Sequence, residues 1–181
     1  MTPTLSQTRD EILSRVGDVF YAGGTYLVGM TELVKHLRTT KATFYRHFES
    51  KEALIVAYLV ERDAQVREQL SSLTLGRTGA IPILDVFSNL ERKTSVESFR
   101  GCAFLIAAIE NPHSSEIQQT SRSHKLFLKS FFKGLLGADA DDALAEQLLL
   151  LYEGALAGAV LRREANAAAT AKDIAARLLA A

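Results

Sequence analysis

The chain has 181 residues, 48% of them hydrophobic, enough to bury a sizeable core in one or two compact units. Its 21 Lys/Arg balance 21 Asp/Glu, so the whole molecule is no general polycation, and its single cysteine, Cys102, excludes an intramolecular disulfide. No stretch resembles a signal peptide and no apolar run approaches the roughly 20 residues that span a bilayer, so a cytoplasmic location and no membrane partner are expected.

In chain order, residues 1–7 are expected to form a loose arm. Thr8, Arg9, Asp10 and Glu11 fit a capping box, and Ile12, Leu13, Val16, Val19 and Phe20 mark one buried face of a helix that Gly23 and Gly24 stop. Met30, Leu33, Val34 and Leu37 recur at i, i+3, i+4 and i+7, the apolar face of a two-turn helix. Arg38 and Thr39 break that pattern, and Thr40 has the chemistry to cap a second short helix. This one buries Phe44 and Phe48 and leaves Lys41, Thr43, Tyr45, Arg46 and His47 on its other faces. Ser50 can cap the helix that follows, with Lys51 in its first turn, where the helix terminus already favours a phosphate. Between residues 30 and 51 five Lys/Arg face two acids, a local +3 in a neutral chain. A short helix that docks by two aromatics and exposes cations, hydroxyls and a phenol suits phosphates and base edges.

Residues 39–54, TTKATFYRHFESKEAL, resemble the helix-turn-helix signature of the TetR (tetracycline-repressor-like) family of bacterial transcription regulators. Arg9, Ile12, Leu13, Val16, Val19, Phe20 and Gly24 extend the likeness upstream, to that family's first helix and its exit glycine. Two positions depart from the pattern. Arg38 stands where the family has a turn glycine, and Gly29 where it has a Thr or Ser cap, a loss of only a few tenths of a kcal/mol. The expected DNA-binding residues are Thr39, Thr40, Lys41, Ala42, Thr43, Tyr45, Arg46, His47 and Lys51.

From Lys51 to about Leu73 no Gly or Pro interrupts, and Leu54, Ala57, Tyr58, Leu59, Val66, Leu70 and Leu73 support one long helix. A further helix is expected over 80–91, with Pro82 tolerated in its first turn. Residues 95–98 read as loop. Residues 99–110, FRGCAFLIAAIE, are apolar nearly all round and predict a buried central helix ended by Asn111-Pro112. Ser115 with Gln118 is expected to cap a helix over 116–136 that turns Leu126, Phe127, Phe131 and Leu135 inward, with Gly137 ending it. Asp141 or Asp142 opens another to about residue 164, and an Ala-rich helix closes the chain over 170–179. No alternating strand pattern appears, so the fold class is all-α. The expected division is a helix-turn-helix DNA-binding domain over 1–50, joined by the long helix to an effector-binding and dimerisation domain over 51–181. The FRGCAF stretch, the Glu110-Asn111-Pro112 break, His124-Lys125 and AEQLLLLYEGALAGAV also resemble a TetR effector-domain subgroup.

The remaining chemistry is sparse. An apolar or aromatic effector would suit Phe87, Phe104, Phe127 and Tyr152, with Glu110 or His124 as polar anchor, although all four aromatics equally suit a core. Cys102 reads either as an inert core thiol or as an electrophile or redox sensor. Glu110, His113, His124 and Glu153 match no metal spacing, so neither metal nor cofactor is expected. Neither a phosphate loop nor a nucleophile elbow is visible, and an enzyme is unsupported. Gly154, Ala155, Gly158 and Ala159 form a small-residue strip that suits either a subunit contact or close packing within one subunit. The resemblance implies a homodimer through the last two long helices, operator DNA as partner and an unknown small-molecule effector. It also implies that the effector acts by swinging the helix over 51–73. The alternatives are a regulator that senses through Cys102 and a helical interaction module with no effector.

Overall fold

The computed structural model describes residues 8–26, 28–137, 139, 141–163 and 166–180, so the expected arm over 1–7 lies outside the described residues. Those residues form nine helices and no strand: α1 Arg9–Gly23, α2 Met30–His36, α3 Lys41–His47, α4 Lys51–Thr74, α5 Ala80–Thr94, α6 Ala103–Glu110, α7 Ser115–Leu136, α8 Asp142–Leu161 and α9 Ala167–Ala180. They gather into two compact units. One holds Met1–Arg62 with Ala103–Ser121, the other Asp63–Cys102 with Arg122–Ala181.

Local chemistry sets most helix ends. Thr8 Oγ1 accepts from the Glu11 N–H while the Glu11 carboxylate accepts from the Thr8 N–H, a complete capping box on α1. Thr40 caps α3 through the Thr43 N–H, and Asp141 caps α8 through the Ala143 N–H. Gly29 gives α2 no side-chain cap. In the first unit Ile12, Val16 and Phe20 of α1 are buried with Leu33, Leu37, Phe44, Phe48, Leu54, Ile55, Tyr58 and Leu59. Phe20 meets Tyr58 edge-on at 5.7 Å between ring centres.

The second unit has one apolar core in which Leu70, Ile83, Val86, Phe87, Leu90, Leu128, Phe132, Leu148, Tyr152 and Ala171 come together. Helices α8 and α9 pack on each other, with Ala167, Ala168, Ala171 and Ala175 buried on α9. A Cβ added at Gly158 would come within 2.8 Å of the Ala167 Cβ, so the approach of the two helices at this point depends on glycine.

Five expectations need correction. The central helix begins at Ala103, because Gly101 takes φ +105°, a left-handed conformation that no helix passes through. It is not buried all round, since Leu105 and Ile109 are 48% and 68% exposed. The cap of α7 is Ser114, whose Oγ accepts from the Ile117 N–H, while the Gln118 amide turns back to the Ala108 and Asn111 carbonyls. The buried stripe of α7 runs through Ile117, Ser121, His124, Leu128, Phe132 and Leu135; of the four side chains expected inward, Leu135 is buried and Phe127 and Phe131 pack partly buried against the core, while Leu126 is 58% exposed. Finally, α8 is 20 residues long with a mean hydropathy of 1.4, long and apolar enough to cross a membrane by length and composition. Its Ala145, Leu148, Leu149, Tyr152, Ala155 and Leu156 belong instead to the core of the second unit, which explains why it is so apolar.

Candidate DNA-binding surface

The turn between α2 and α3 is held from both sides. Leu37 N–H donates to Leu33 O at 2.9 Å and Thr39 N–H to Val34 O at 2.9 Å, which closes the end of α2. Arg15 of α1 reaches across to the Leu37 carbonyl at 3.1 Å. Between them Arg38 sits at φ +52°, a left-handed conformation that costs a non-glycine residue about 1 kcal/mol or more. The sequence placed a non-glycine side chain at the one turn position where glycine is free of strain.

Helix α3 docks through two rings. Phe44 is fully buried and Phe48 nearly so, their centres 5.7 Å apart, and the Arg9 guanidinium lies 5.3 Å from the Phe48 centre. Its other side is open: Lys41, Ala42, Tyr45 and Arg46 are exposed, with Thr43 and His47 half-buried. Tyr45 is 52% exposed, and its ring stands edge-on to Phe44 at 5.3 Å, so the phenol is propped outward by the same ring that anchors the helix. Thr40 Oγ1 donates to Thr43 Oγ1 at 3.1 Å, which orients both hydroxyls at the helix start.

Two expected residues lie differently from that face. Thr39 Oγ1 is shut away from solvent without a hydrogen-bond partner among the described residues. Lys51, half-buried at the start of α4, donates to the Tyr26 carbonyl at 3.1 Å. Burial pulls its ammonium below the usual lysine range, opposed by the charge of Glu110. Sequence reasoning missed the cause of this: Thr25 and Tyr26 join α1 to α2, and Glu110 lies about 85 residues away along the chain. A cleft of about 330 Å³ opens there, lined by Tyr26, Lys51, Glu52, Ile55, Glu110, Asn111, Pro112, His113 and Ser114.

The expected effector residues divide between the units. Phe104 and Glu110 belong to the first. In the second, Phe87, Phe132 and Tyr152 form an aromatic cluster with ring centres 6.0 to 6.4 Å apart. Burial pushes the Tyr152 phenol up to about 12, the Cys102 sulfur adding to the effect. Lys125 Nζ lies 3.6 Å from Cys102 Sγ and 2.9 Å from Glu153. His124, 4% exposed, donates its Nδ1–H to the Asp63 carboxylate at 2.6 Å, and Asp63 also takes the Arg67 guanidinium at 2.5 Å. That guanidinium lies 3.7 Å over the Phe127 ring. Burial holds the His124 ring neutral, its pKa pulled down to about 4 against the opposing pull of Asp63. Glu110, His124 and Glu153 thus each have another partner, and among the described residues no three of His, Cys, Asp and Glu gather as a metal site.

The profile described as "Bacterial regulatory proteins, tetR family" matches residues 12–58, the stretch that carries α1, α2, α3 and the start of α4. Curated proteins give no match. Among solved structures, a TetR-family transcriptional regulator from Streptomyces coelicolor is 28% identical, covers 95% of this chain and 94% of its own, and superposes with a TM-score of 0.87. A TetR-type regulator from Streptomyces avermitilis is 29% identical over 96% of this chain and 97% of its own, at a TM-score of 0.83. The reduced form of Escherichia coli NemR, 21% identical, shares the fold over 96% of this chain and 97% of its own, at 0.82. The capped turn, the ring-anchored short helix, the profile that covers both and the full-length likeness agree: residues 12–58 match the TetR-family profile, and the chain is similar over nearly its whole length to TetR-family transcriptional regulators.

Proposed function

We propose that the chain is a homodimeric, ligand-responsive repressor that reads a palindromic operator with α3 in the major groove. The observation that carries the reading is the division of α3 into a buried Phe44–Phe48 side and an exposed side bearing Lys41, Ala42, Tyr45 and Arg46. Lys41 and Arg46 supply phosphate contacts, Tyr45 and the Thr40 and Thr43 hydroxyls supply contacts to base edges or phosphates, and His47 completes the surface. Lys51 acts from behind, holding the loop, and Thr39 stands at the turn, where its backbone N–H closes the end of α2.

The dimer is proposed through α8 and α9. Along α8, Leu150, Gly154, Ala157 and Leu161 are exposed at i, i+4, i+7 and i+11, one face of a single helix, with Leu150 and Leu161 58% and 82% exposed. Ile174 on α9 is 38% exposed. A self-complementary apolar face of this kind suits a second copy, and two-fold symmetry would set two α3 helices about one DNA turn apart. The effector is proposed to be a small apolar or aromatic molecule that reaches the second unit beside Phe87, Phe127 and Tyr152, with His124 as its polar neighbour. It must bind the DNA-incompetent state more tightly; a tenfold preference supplies about 1.4 kcal/mol per site.

Selection of duplexes from a randomised library tests the reading. An enriched inverted repeat, bound as a dimer and released by a small molecule, is expected; enrichment of no duplex refutes it. One contact favours a second reading. The Lys125 ammonium beside the half-buried Cys102 Sγ suits a thiol that adds to electrophiles. N-ethylmaleimide should then give one adduct by mass and release the operator, and a Cys102→Ser variant should keep the operator bound.

A further inference from the structure

We infer that Glu110, at the C-terminal end of α6, is a positioning residue that clamps the α1–α2 loop and so sets the DNA-binding competence of α2 and α3. One carboxylate oxygen, Oε2, accepts from the Thr25 N–H at 2.5 Å, the Thr25 hydroxyl at 2.6 Å and the Tyr26 N–H at 3.1 Å. Three donors on one charged oxygen make the strong class of hydrogen bond, and two of them are backbone groups of the segment that joins α1 to α2. The site is fitted to the carboxylate. Gly24 holds φ +79°, and any Cβ there would overlap Glu110 Oε1. Thr25 is only 2% exposed although it is polar, and its hydroxyl also accepts from the Asn111 amide at 2.8 Å.

The same short loop is held again from α4. Lys51 donates to the Tyr26 carbonyl at 3.1 Å, so the loop's N–H groups are taken by α6 and a carbonyl by α4. A second tie joins α4 to the turn that follows α6, where the Ser114 hydroxyl at the head of α7 donates to Glu52. Helices α4 and α6 therefore hold Thr25 and Tyr26 between them, and a shift of α6 along its axis must either drag the α1–α2 loop or break three bonds to one oxygen. This gives the proposed repressor a residue-level link from α6 to the helix-turn-helix. Neither Glu110 nor Thr25 need touch DNA or effector for it to operate.

The inference rests on the DNA-binding reading, and two measurements on the full chain separate their failures. The first is amide-resolved hydrogen exchange of Glu110→Ala against the unsubstituted chain. Thr25 and Tyr26 should lose at least tenfold of their protection while the amides of α1 and the middle of α4 keep theirs. The second is affinity for the duplex selected from the randomised library. Glu110→Ala should bind at least tenfold more weakly with an unchanged dependence on salt, because no phosphate contact has been removed. Glu110→Gln, which keeps an oxygen acceptor, should recover affinity to within about threefold of the unsubstituted chain. If Glu110→Ala does not fold, Thr25→Val removes one donor and should show the same losses in smaller measure. Unchanged exchange at Thr25 and Tyr26 overturns the clamp, whatever the DNA result. Lost protection with undiminished affinity overturns its role in DNA binding. If no duplex is enriched by the unsubstituted chain, the DNA reading falls, and the exchange of these two amides still decides whether Glu110 holds the loop.

Discussion

Acid should weaken this protein through one ring, and replacing that ring should remove the effect. His124 is 4% exposed, and burial holds it neutral with its pKa pulled to about 4 from the ordinary 6.5, the Asp63 carboxylate opposing the shift. Between those values the unfolded chain binds a proton that the folded chain does not. The stability contributed by the neutral ring is therefore complete above about pH 6.5 and is lost as pH falls toward 4. At pH 5 the unfolded ring is favoured by a factor of about 30, which is about 2 kcal/mol relative to pH 8. Asp63 shifts the same way: burial pushes it up, but hydrogen bonds from His124 and Arg67 outweigh that and hold it below 3.8, outside this interval. His124→Asn places an amide N–H near the position of Nδ1, keeping a donor for Asp63 without a group that titrates. Urea unfolding at pH 8 and pH 5, at one protein concentration, should show the unsubstituted chain losing about 2 kcal/mol more than His124→Asn. Equal losses in the two proteins would refute the assignment of a buried neutral His124.

Two further substitutions probe the backbone and the helix contacts. Arg38→Gly relieves the φ +52° strain but adds freedom to the unfolded chain, so thermal unfolding should show a net gain of about 0.5–1 kcal/mol; a loss would mean that the Arg38 side chain holds the turn together. Gly154→Leu and Gly158→Leu should separate the dimer from the fold. A Cβ at Gly154 meets nothing within 4 Å, whereas one at Gly158 meets Ala167 at 2.8 Å. Gly154→Leu should give a folded monomer in sedimentation, while Gly158→Leu should lower the melting temperature of the chain itself; a Gly154→Leu dimer of unchanged stability would move the subunit contact elsewhere.

Features decided within a few residues were legible in the sequence. The Thr8–Glu11 box, the Thr40 and Ser50 caps and the Phe44–Phe48 anchor all depend on neighbours no more than four positions away, and each forms as read, while of Asp141 and Asp142 it is Asp141 that caps α8. On α7 Leu135, Phe127 and Phe131 turn to the core as their spacing suggests, but Leu126 does not, because the buried stripe also carries Ser121 and His124, polar residues that composition assigns to solvent. Each is satisfied by a partner far along the chain, Ser121 by the Phe104 carbonyl and His124 by Asp63. The small-residue strip also divides in a way that spacing alone leaves open, since Gly158 packs on α9 while Gly154 stays open. Glu110 suits an effector anchor by sequence, yet its carboxylate is taken up by Thr25 and Tyr26, a pairing that no local pattern announces.

The account stands on α3 as the surface that meets DNA. Titration of the selected duplex against a Lys41→Ala, Tyr45→Ala double variant tests it most directly, because both side chains are exposed while Phe44 and Phe48, which dock the helix, are untouched. Circular dichroism and the melting temperature should match the unsubstituted chain, the affinity should fall at least tenfold, and the slope of log affinity against log salt should flatten by about one for the lost lysine contact. A folded double variant that binds the duplex with undiminished affinity and the same slope would contradict the account.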